Sequence, residues 1–307
     1  MTRSSALQTE NEPAVHPSRD PKLTRAINVL GIRVDVMNME EVLARLAQML
    51  RRREKGYLSA ITVHGVMVAQ RDKQFAAAFA DASIAIPDGT PIAWAGRLQG
   101  FAKMHYVTGP ALMREVFLRK EFSQYTHFFY GGDIGVAEEL AQHFQTIAPW
   151  AKIVGAFTPP YRSLTRTEEC ALIAKIRRCK PDMIWIGLGT PKQDKFMRHY
   201  LPLLETKLMF GVGAAFDFHT GRIRGCPAWV KSAGLHWLHR LLQEPRRLWR
   251  RYLFDNPVFI WSMALQLLGL RTFIHEESRH PDMHSAETPE SRFAPCSESD
   301  EQLAVNR

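Results

Sequence analysis

The chain has 307 residues, of which 46% are hydrophobic and 10% aromatic, which is enough for one large core with appendages or for two small domains. We favour one core. The formal net charge of +9 predicts an anionic partner, such as nucleic acid, a phospholipid surface or a phosphorylated substrate, without choosing among them. The four cysteines show no C-x-x-C spacing and follow no secretory segment, which argues against disulfides and a structural zinc and favours a reducing cytoplasm.

Short apolar runs alternate with amphipathic segments along the middle of the chain. The apolar runs, typical of strands, are residues 27–36, 57–63, 84–87, 126–130, 152–157, 183–187 and 207–210. The amphipathic segments, typical of helices, are residues 39–52, 65–82, 135–148, 165–179 and 192–204. This alternation predicts βαβ units and a Rossmann-like α/β fold with a mainly parallel, doubly wound sheet.

The chain divides into four regions by composition. Residues 1–24 and 276–307 mix Ser, Thr, Pro and charges without periodicity, and we expect both tails to be disordered. Residues 25–228 are the predicted α/β core, and residues 229–275 are a predicted helical C-terminal appendage.

The appendage predicts membrane association. Its arginines stand beside Trp, Leu and Tyr over residues 229–252, and residues 257–270 form an uncharged run. That run is shorter than the roughly 18 residues expected of a spanning helix, so the interface of an anionic membrane is the better interpretation. The alternative is a helix packed on the core with a solvated basic face.

Two glycine-rich strand ends point to the ligand. Residues 185–194 (W-I-G-L-G-T-P-K-Q-D) and 209–217 (M-F-G-V-G-A-A-F-D) each read as an apolar strand ending in Gly-x-Gly. Glycine lets a phosphate or a sugar approach the main chain, and open α/β sheets bind ligands at this carboxyl edge. The pattern predicts a nucleotide-linked substrate.

Several segments taken together resemble the WecG/TagA/CpsF glycosyltransferases of bacterial surface polysaccharide and teichoic-acid assembly. They lie at residues 85–89, 106–109, 131–138, 187–194, 211–217 and 234–246, and the resemblance covers about residues 28–255. It implies transfer of one sugar from a nucleotide diphosphate donor, UDP being expected, to a sugar on a polyprenyl diphosphate lipid. It also implies inversion and independence of a bound metal, and the chain contains no Asp-x-Asp.

Asp88 is the candidate catalytic base, because it follows the apolar run 84–87 and matches the carboxylate proposed as base in the family. The alternative from the residues alone is a helix N-cap. Thr62 and His64 end another predicted strand and are expected to bind sugar or acceptor. The family pattern there is Thr-x-Asn, so His64 departs from it and is a rival base. A second departure puts Tyr106 where family members carry Arg, as a sugar-stacking or a buried packing residue.

The expected nucleotide-binding residues lie in the glycine-rich loops and the helices that follow them: Gly132, Gly189, Lys192, Gln193 and Asp217. The resemblance assigns stabilisation of the leaving diphosphate to three appendage arginines, Arg240, Arg247 and Arg250, whose spacing is close to successive helical turns. A purely lipid-binding role is the alternative for each arginine.

The expected partners are a nucleotide-sugar donor, a lipid-linked sugar acceptor and an anionic membrane surface, with a homo-oligomer also possible. No cofactor, no metal and no nucleic acid are expected, and the predicted location is the cytoplasm, peripherally attached to the inner face of the plasma membrane. Two other classes stay open. A Rossmann oxidoreductase is disfavoured because no Gly-x-Gly-x-x-Gly motif opens the first βα unit of this chain. A nucleic-acid-binding protein is disfavoured because the arginines lie next to an apolar run and not along a polar face.

Overall fold

The computed structural model of the protein describes residues 25–226, residue 230 and residues 236–274. Both expected disordered tails, 1–24 and 276–307, lie outside the described residues.

A two-stranded antiparallel hairpin opens the fold. It consists of β1 (Ala26–Val29) and β2 (Ile32–Asp35) and is separate from the main sheet. The apolar run 27–36 is therefore two strands. Its two-residue turn places Leu30 at φ 51° and Gly31 at φ 84°, and because Leu rarely adopts positive φ, the sequence gives no strong hairpin signal there.

The central sheet has six parallel strands, which confirms the predicted fold class. In chain order they are β3 (Gly56–Ile61), β4 (Ile84–Pro87), β5 (Thr126–Gly131), β6 (Lys152–Phe157), β7 (Met183–Gly187) and β8 (Leu208–Gly211). Their spatial order is β4-β3-β8-β7-β5-β6.

Nine helices described before residue 226 surround this sheet: α1 (Met39–Arg51), α2 (Val63–Ala69), α3 (Lys73–Ala80), α4 (Thr90–Leu98), α5 (Gly109–Leu118), α6 (Val136–Ile147), α7 (Arg166–Cys179), α8 (Lys192–Tyr200) and α9 (Ala215–His219). The predicted helix 65–82 is two helices, because Asp72 accepts a hydrogen bond from the Phe75 N–H at 3.0 Å and caps α3. The helices α4 and α5 were not among the predicted segments.

The two faces of the sheet bury alternate residues of each strand. On β7, Met183 and Trp185 join a cluster with α1, α5, α6 and α9, whereas Ile184 and Ile186 join a cluster with α7 and α8. The hairpin, α2, α3 and α4 complete this second layer. Helices therefore cover both faces, as a doubly wound fold requires.

One cysteine departs from expectation. Cys170, buried on α7, is disulfide-bonded, while Cys179 and Cys226 are free thiols. Disulfide partners need not be close in sequence, so the absence of a C-x-x-C spacing does not exclude such a bond.

The described part of the appendage is helical. It contains α10 (His236–Gln243), α11 (Pro245–Arg250), a π-helical turn (Arg251–Asp255) and α12 (Asn256–Leu267). On α12, Phe259 and Met263 pack into the apolar cluster of the hairpin and α2. The opposite side of the helix exposes Ile260 and Trp261, whose accessible fractions are 65% and 68%. No helix of the described residues combines the length and apolar character needed to cross a bilayer.

Packing on the core, the alternative considered for the appendage, therefore accounts for one face of α12. The other face of α12 leaves apolar side chains exposed.

Candidate active site

The carboxyl ends of the six parallel strands lie on one edge of the sheet. Ile61 of β3 pairs with Pro87 of β4, so Thr62 and Asp88 are neighbours at that edge. The adjacent strands β5 and β7 continue through α6 and α8 toward opposite sides of the sheet, to β6 and β8 respectively. Such a switch point opens a crevice where α/β enzymes bind ligands.

Backbone atoms of glycine residues line the crevice between β5 and β7. A Cβ added to Gly131, which has φ 118°, would lie 2.8 Å from the carbonyl of Gly187. The next residue, Gly132, donates its N–H to the Gly187 carbonyl oxygen at 3.1 Å. Beyond them, a Cβ on Gly189 would meet no atom within 4 Å, so this loop faces open space. The predicted glycine residues are thus brought together at the crevice.

Asp88 lies at the turn between β4 and α4, partly buried, with its N–H donating to the Ile61 carbonyl oxygen at 2.9 Å. The N-cap of α4 is Gly89, and no side chain caps that helix, so the N-cap alternative for Asp88 is wrong. Burial raises the pKa of Asp88 to about 7, and the positive charge of Arg240 opposes that rise. A carboxyl group that titrates near neutral pH is suited to taking a proton.

Thr62 lies beside Asp88 at the end of β3, and His64 follows in the first turn of α2. Thr62 is the N-cap, and its Oγ1 accepts from the Gly65 N–H at 3.0 Å, which leaves its own hydroxyl proton for donation. His64 is neither a surface residue nor a cap. Its Nδ1 lies 3.0 Å from Oδ2 of Asp255, at the end of the π-helical turn in the appendage.

Tyr106 lies close to Asp88 through its neighbour Val107, whose N–H donates to the Pro87 carbonyl oxygen at 2.8 Å. The Tyr106 side chain is 44% exposed, so the alternative of a buried packing residue is wrong. Its ring is accessible to a ligand at the edge of the sheet.

Gln193 and Asp194 begin α8 underneath the crevice, and both are buried. Oε1 of Gln193 accepts from the Gly213 N–H at 3.0 Å, so this residue orders the loop after β8. Asp194 accepts from the Ser59 hydroxyl at 2.8 Å, and burial raises its pKa to about 7. The sequence predicted no role for Asp194, although this residue ends the glycine-rich segment 185–194 that points to a ligand.

Lys192 is exposed at the first turn of α8. Its Nζ lies 4.7 Å from the centre of the Tyr161 ring, which is 96% exposed on the loop after β6. Thr158 at the start of that loop donates to the Gly131 carbonyl oxygen at 3.3 Å. The cation and the aromatic ring therefore border the glycine-walled crevice.

Asp217 on α9 lines an open cleft between the core and the appendage. The cleft has a volume of about 320 Å³ and is lined by Asp133, Asp217, Arg222, Ile223, Gln243 and Glu244. Core residues supply one wall and residues at the end of α10 supply the other.

Arg240 on α10 is the predicted appendage arginine that the structure brings to the catalytic edge. Its side chain is 15% exposed, one guanidinium nitrogen is 2.8 Å from Glu244, and the guanidinium lies 5.2 Å from the centre of the Phe218 ring. Its Nε is buried and has no hydrogen-bond partner within the described part of the chain. A buried donor without a partner, within electrostatic reach of Asp88, is suited to bind an anionic oxygen.

Arg250 differs from Arg240. It is exposed and lies over the ring of Trp249 at 5.3 Å. Because α10 ends at Gln243 and Pro245 begins α11, the two arginines do not lie on one continuous helix, contrary to the expectation from their spacing. The side chain of Arg247 lies outside the described residues.

Tyr252, in the π-helical turn, is a site residue for which the sequence carried no signal. Burial raises its pKa, the charges of Arg240 and Arg251 oppose that rise, and the negative charges of Glu244 and Asp88 add to it. Tyr252 therefore lies within electrostatic reach of both Asp88 and Arg240.

Within residues 25–226 and 236–274 no group of three His, Cys, Asp or Glu side chains is arranged to hold a metal ion. Arg240 is a cationic side chain whose charge acts on Asp88. The arrangement can remove a proton at Asp88 and stabilise negative charge at Arg240.

The fold and the site define an α/β enzyme with its carboxylate at the edge of the sheet and a cationic appendage above it. The family model described as "Glycosyl transferase WecG/TagA/CpsF family" matches residues 27–272. The chain belongs to this family and is a glycosyltransferase.

Relatives from two genera illustrate the similarity. The N-acetylglucosaminyldiphosphoundecaprenol N-acetyl-beta-D-mannosaminyltransferase of Bacillus subtilis (strain 168) is 25% identical over 247 residues, which is 78% of this chain and 93% of the relative. The enzyme of the same name from Staphylococcus aureus (strain MRSA252) is 24% identical over 243 residues, again 78% and 93% of the two chains.

Proposed function

We propose that this glycosyltransferase moves one hexose or N-acetylhexosamine-type sugar, with inversion, from a nucleotide diphosphate to a sugar on a polyprenyl diphosphate lipid. UDP is the expected nucleotide. N-acetylmannosamine is the first donor sugar to test and N-acetylglucosaminyl diphosphoundecaprenol the first acceptor, because the relatives are named for them. The product would be a lipid-linked disaccharide for a bacterial surface polysaccharide.

The observation that carries this proposal is the electrostatic interaction between Asp88 and Arg240. One comes from the core and the other from the appendage, and the charge of Arg240 acts on the Asp88 carboxyl group. An inverting transfer needs these two functions at one place, namely a base for the acceptor hydroxyl and a cation for the departing diphosphate.

The reaction follows as a single displacement. The Asp88 carboxylate takes the proton of the acceptor hydroxyl while that oxygen forms a bond to the anomeric carbon of the donor sugar. The bond between this carbon and the diphosphate oxygen breaks on the opposite side, and its electron pair goes to the diphosphate. In this proposal the Nε–H of Arg240, which is buried and has no partner within the described residues, donates to that oxygen as its charge grows.

The exposed apolar side of α12 supports peripheral binding to the inner face of the plasma membrane. Its residues include Ile260, Trp261 and Leu267, and arginines of α11 flank them in sequence. Apolar side chains enter the headgroup boundary and arginines attract anionic lipid, so the site would face the surface that holds the acceptor.

The decisive experiment incubates the full chain with N-acetylglucosaminyl diphosphate on a short-chain polyprenol and a panel of UDP-sugars, with mass spectrometry of the lipid product. We expect one added sugar from one donor or a small set of donors, with inverted configuration at the anomeric carbon by NMR. Transfer from no member of the panel would refute the proposal.

Variants at the two residues test the mechanism. Asp88→Asn should lower turnover by about two to four orders of magnitude, because the amide cannot accept the proton. Asp81→Asn is the matched control, since Asp81 pairs with Arg198 on α8 away from the edge. More than a tenth of wild-type activity in Asp88→Asn would rule out Asp88 as the base.

The arginines are compared in the same assay. Arg240→Ala should lower kcat by about 100-fold, the scale expected when one donor to a developing charge is removed. Arg250→Ala tests whether position matters, because Arg250 is exposed on the neighbouring helix. Equal losses in the two variants would mean that the general charge of the appendage, and not the place of Arg240, supports turnover.

A further inference from the structure

The contact between His64 and Asp255 joins two distant parts of the chain at the catalytic edge. His64 is the second residue of α2, immediately after β3, and Asp255 is the last residue of the π-helical turn. The Nδ1–Oδ2 distance is 3.0 Å, and 21% and 14% of the two side chains are exposed. A hydrogen bond this well shielded from water links core to appendage across 191 positions.

Burial and nearby charges act on the imidazole of this contact. Burial lowers the pKa of His64 and the charge of Arg251 lowers it further, while the hydrogen bond and charge of Asp255 oppose that lowering. An ionised carboxylate can only accept, and Nδ1 therefore carries the proton that is donated to Asp255. The other carboxylate oxygen of Asp255 lies 3.6 Å from a guanidinium nitrogen of Arg71, which follows α2.

Asp255 thus contacts two core residues, His64 in the first turn of α2 and Arg71 just after that helix. Three residues before it stands Tyr252, which interacts electrostatically with Asp88 and Arg240. A contact that fixes Asp255 therefore also fixes the end of the segment that carries Arg240 and Tyr252 toward the carboxylate.

We propose that the hydrogen bond between His64 and Asp255 holds the appendage over the catalytic edge, and that His64 is a positioning residue for sugar transfer. It acts through Asp255 on the placement of Arg240 and does not itself take the proton of the acceptor. This inference rests on the proposed function in its effect on turnover, but the contact between core and appendage can be tested without it.

The first test compares two replacements of His64 in the full chain. His64→Leu keeps side-chain bulk without a donor, and we expect kcat to fall about tenfold or more while KM for the donor changes by less than about threefold. His64→Asn keeps an N–H near the position of Nδ1, and it should recover most of the lost turnover. An asparagine as slow as the leucine would overturn the proposal, because that result is expected of a base and not of a donor to Asp255.

A double-mutant cycle tests the route of the effect. If His64 acts by placing Arg240, then His64→Leu should slow the Arg240→Ala enzyme by less than about twofold, although it slows the wild type much more. Independent, multiplicative losses would overturn the proposal. Arg198→Gln, which breaks the pair with Asp81 within the core, is the control for loss of an ordinary surface ion pair and should show no such coupling.

The second readout needs no substrate. Hydrogen–deuterium exchange of the full chain, followed on peptides covering residues 251–267, should be faster in His64→Leu and Asp255→Ala than in the wild type, and near normal in His64→Asn. Unchanged exchange in His64→Leu would overturn the inference even if the enzyme transfers sugar as proposed. Faster exchange in a protein that transfers no tested sugar would support the contact and count against the proposed function alone.

Discussion

The pH dependence of turnover follows from the burial of Asp88. Its pKa is raised from 3.8 to about 7, so about a tenth of the molecules carry the ionised base at pH 6, about half at pH 7 and about nine tenths at pH 8. If this carboxylate takes the proton of the acceptor, kcat/KM should rise about tenfold between pH 6 and pH 8 and then level off. An ordinary, exposed aspartate would be fully ionised throughout, and the profile would be flat.

The assay measures initial rates on a short-chain, water-soluble acceptor from pH 5.5 to pH 9, so that membrane binding does not enter. Asp194 titrates in the same range but bonds Ser59 inside the core, so Asp194→Asn should retain the rise. Arg240→Gln should move the rise to higher pH, because the arginine charge lowers the pKa of Asp88. A flat profile between pH 6 and pH 8, or a rise that vanishes in Asp194→Asn, would refute the reasoning.

Three further predictions concern metal, membrane and stability. Activity should survive an excess of EDTA, since the chain lacks the Asp-x-Asp pair that usually holds a metal on a nucleotide diphosphate; loss that is reversed by Mn²⁺ would contradict this. Replacing Trp261 and Leu268, which are 68% and 72% exposed, by Ser should weaken flotation with anionic vesicles by about tenfold and leave turnover of a soluble acceptor near normal. Unaltered flotation would show that another surface binds lipid. Asp194 holds its proton more tightly in the folded than in the unfolded chain, so its contribution to the free energy of unfolding falls as pH rises from about 4 to about 7, by up to about 1.4 kcal/mol per pH unit. Urea unfolding at pH 5 and pH 7 should show a smaller loss in Asp194→Asn than in the wild type, and equal losses would contradict the assignment.

The sheet could be predicted from the sequence because most of its strands are buried on both faces and form continuous apolar runs, although the edge strand β6 is only partly buried. The strands β4, β6 and β7 have the predicted bounds, residues 84–87, 152–157 and 183–187. The ends of strands and helices that depend on a single capping residue were harder to predict. The predicted strand 57–63 ends at Ile61, because the Thr62 side chain accepts from the Gly65 N–H and caps α2, which begins at Val63.

The site was predictable where it depends on the parallel sheet. Carboxyl ends of parallel strands share an edge, so Thr62, Asp88 and the glycine loops had to lie along the same edge of the sheet. Contacts between the core and the appendage depend on how segments that are distant in sequence dock on each other. No local sequence pattern predicts this docking. For this reason the interactions of Tyr252 and Asp255 could be seen only in the folded chain, and the sequence could not distinguish the surroundings of Arg240 from those of Arg250.

The last helix of the described chain also determines when during synthesis the hairpin is completed. Oε1 of Gln266 accepts from the Leu30 N–H, and its Nε2 donates to the Asn28 carbonyl oxygen, both at 2.9 Å and the latter across 238 positions. Phe259 and Met263 cover the apolar residues of the same hairpin. During synthesis the hairpin emerges early, and α12 can reach it only after nearly the whole core has been made. A chain that ends before α12 would therefore lack the Gln266 acceptor for the Leu30 N–H and the cover that Phe259 and Met263 give to the apolar side of the hairpin.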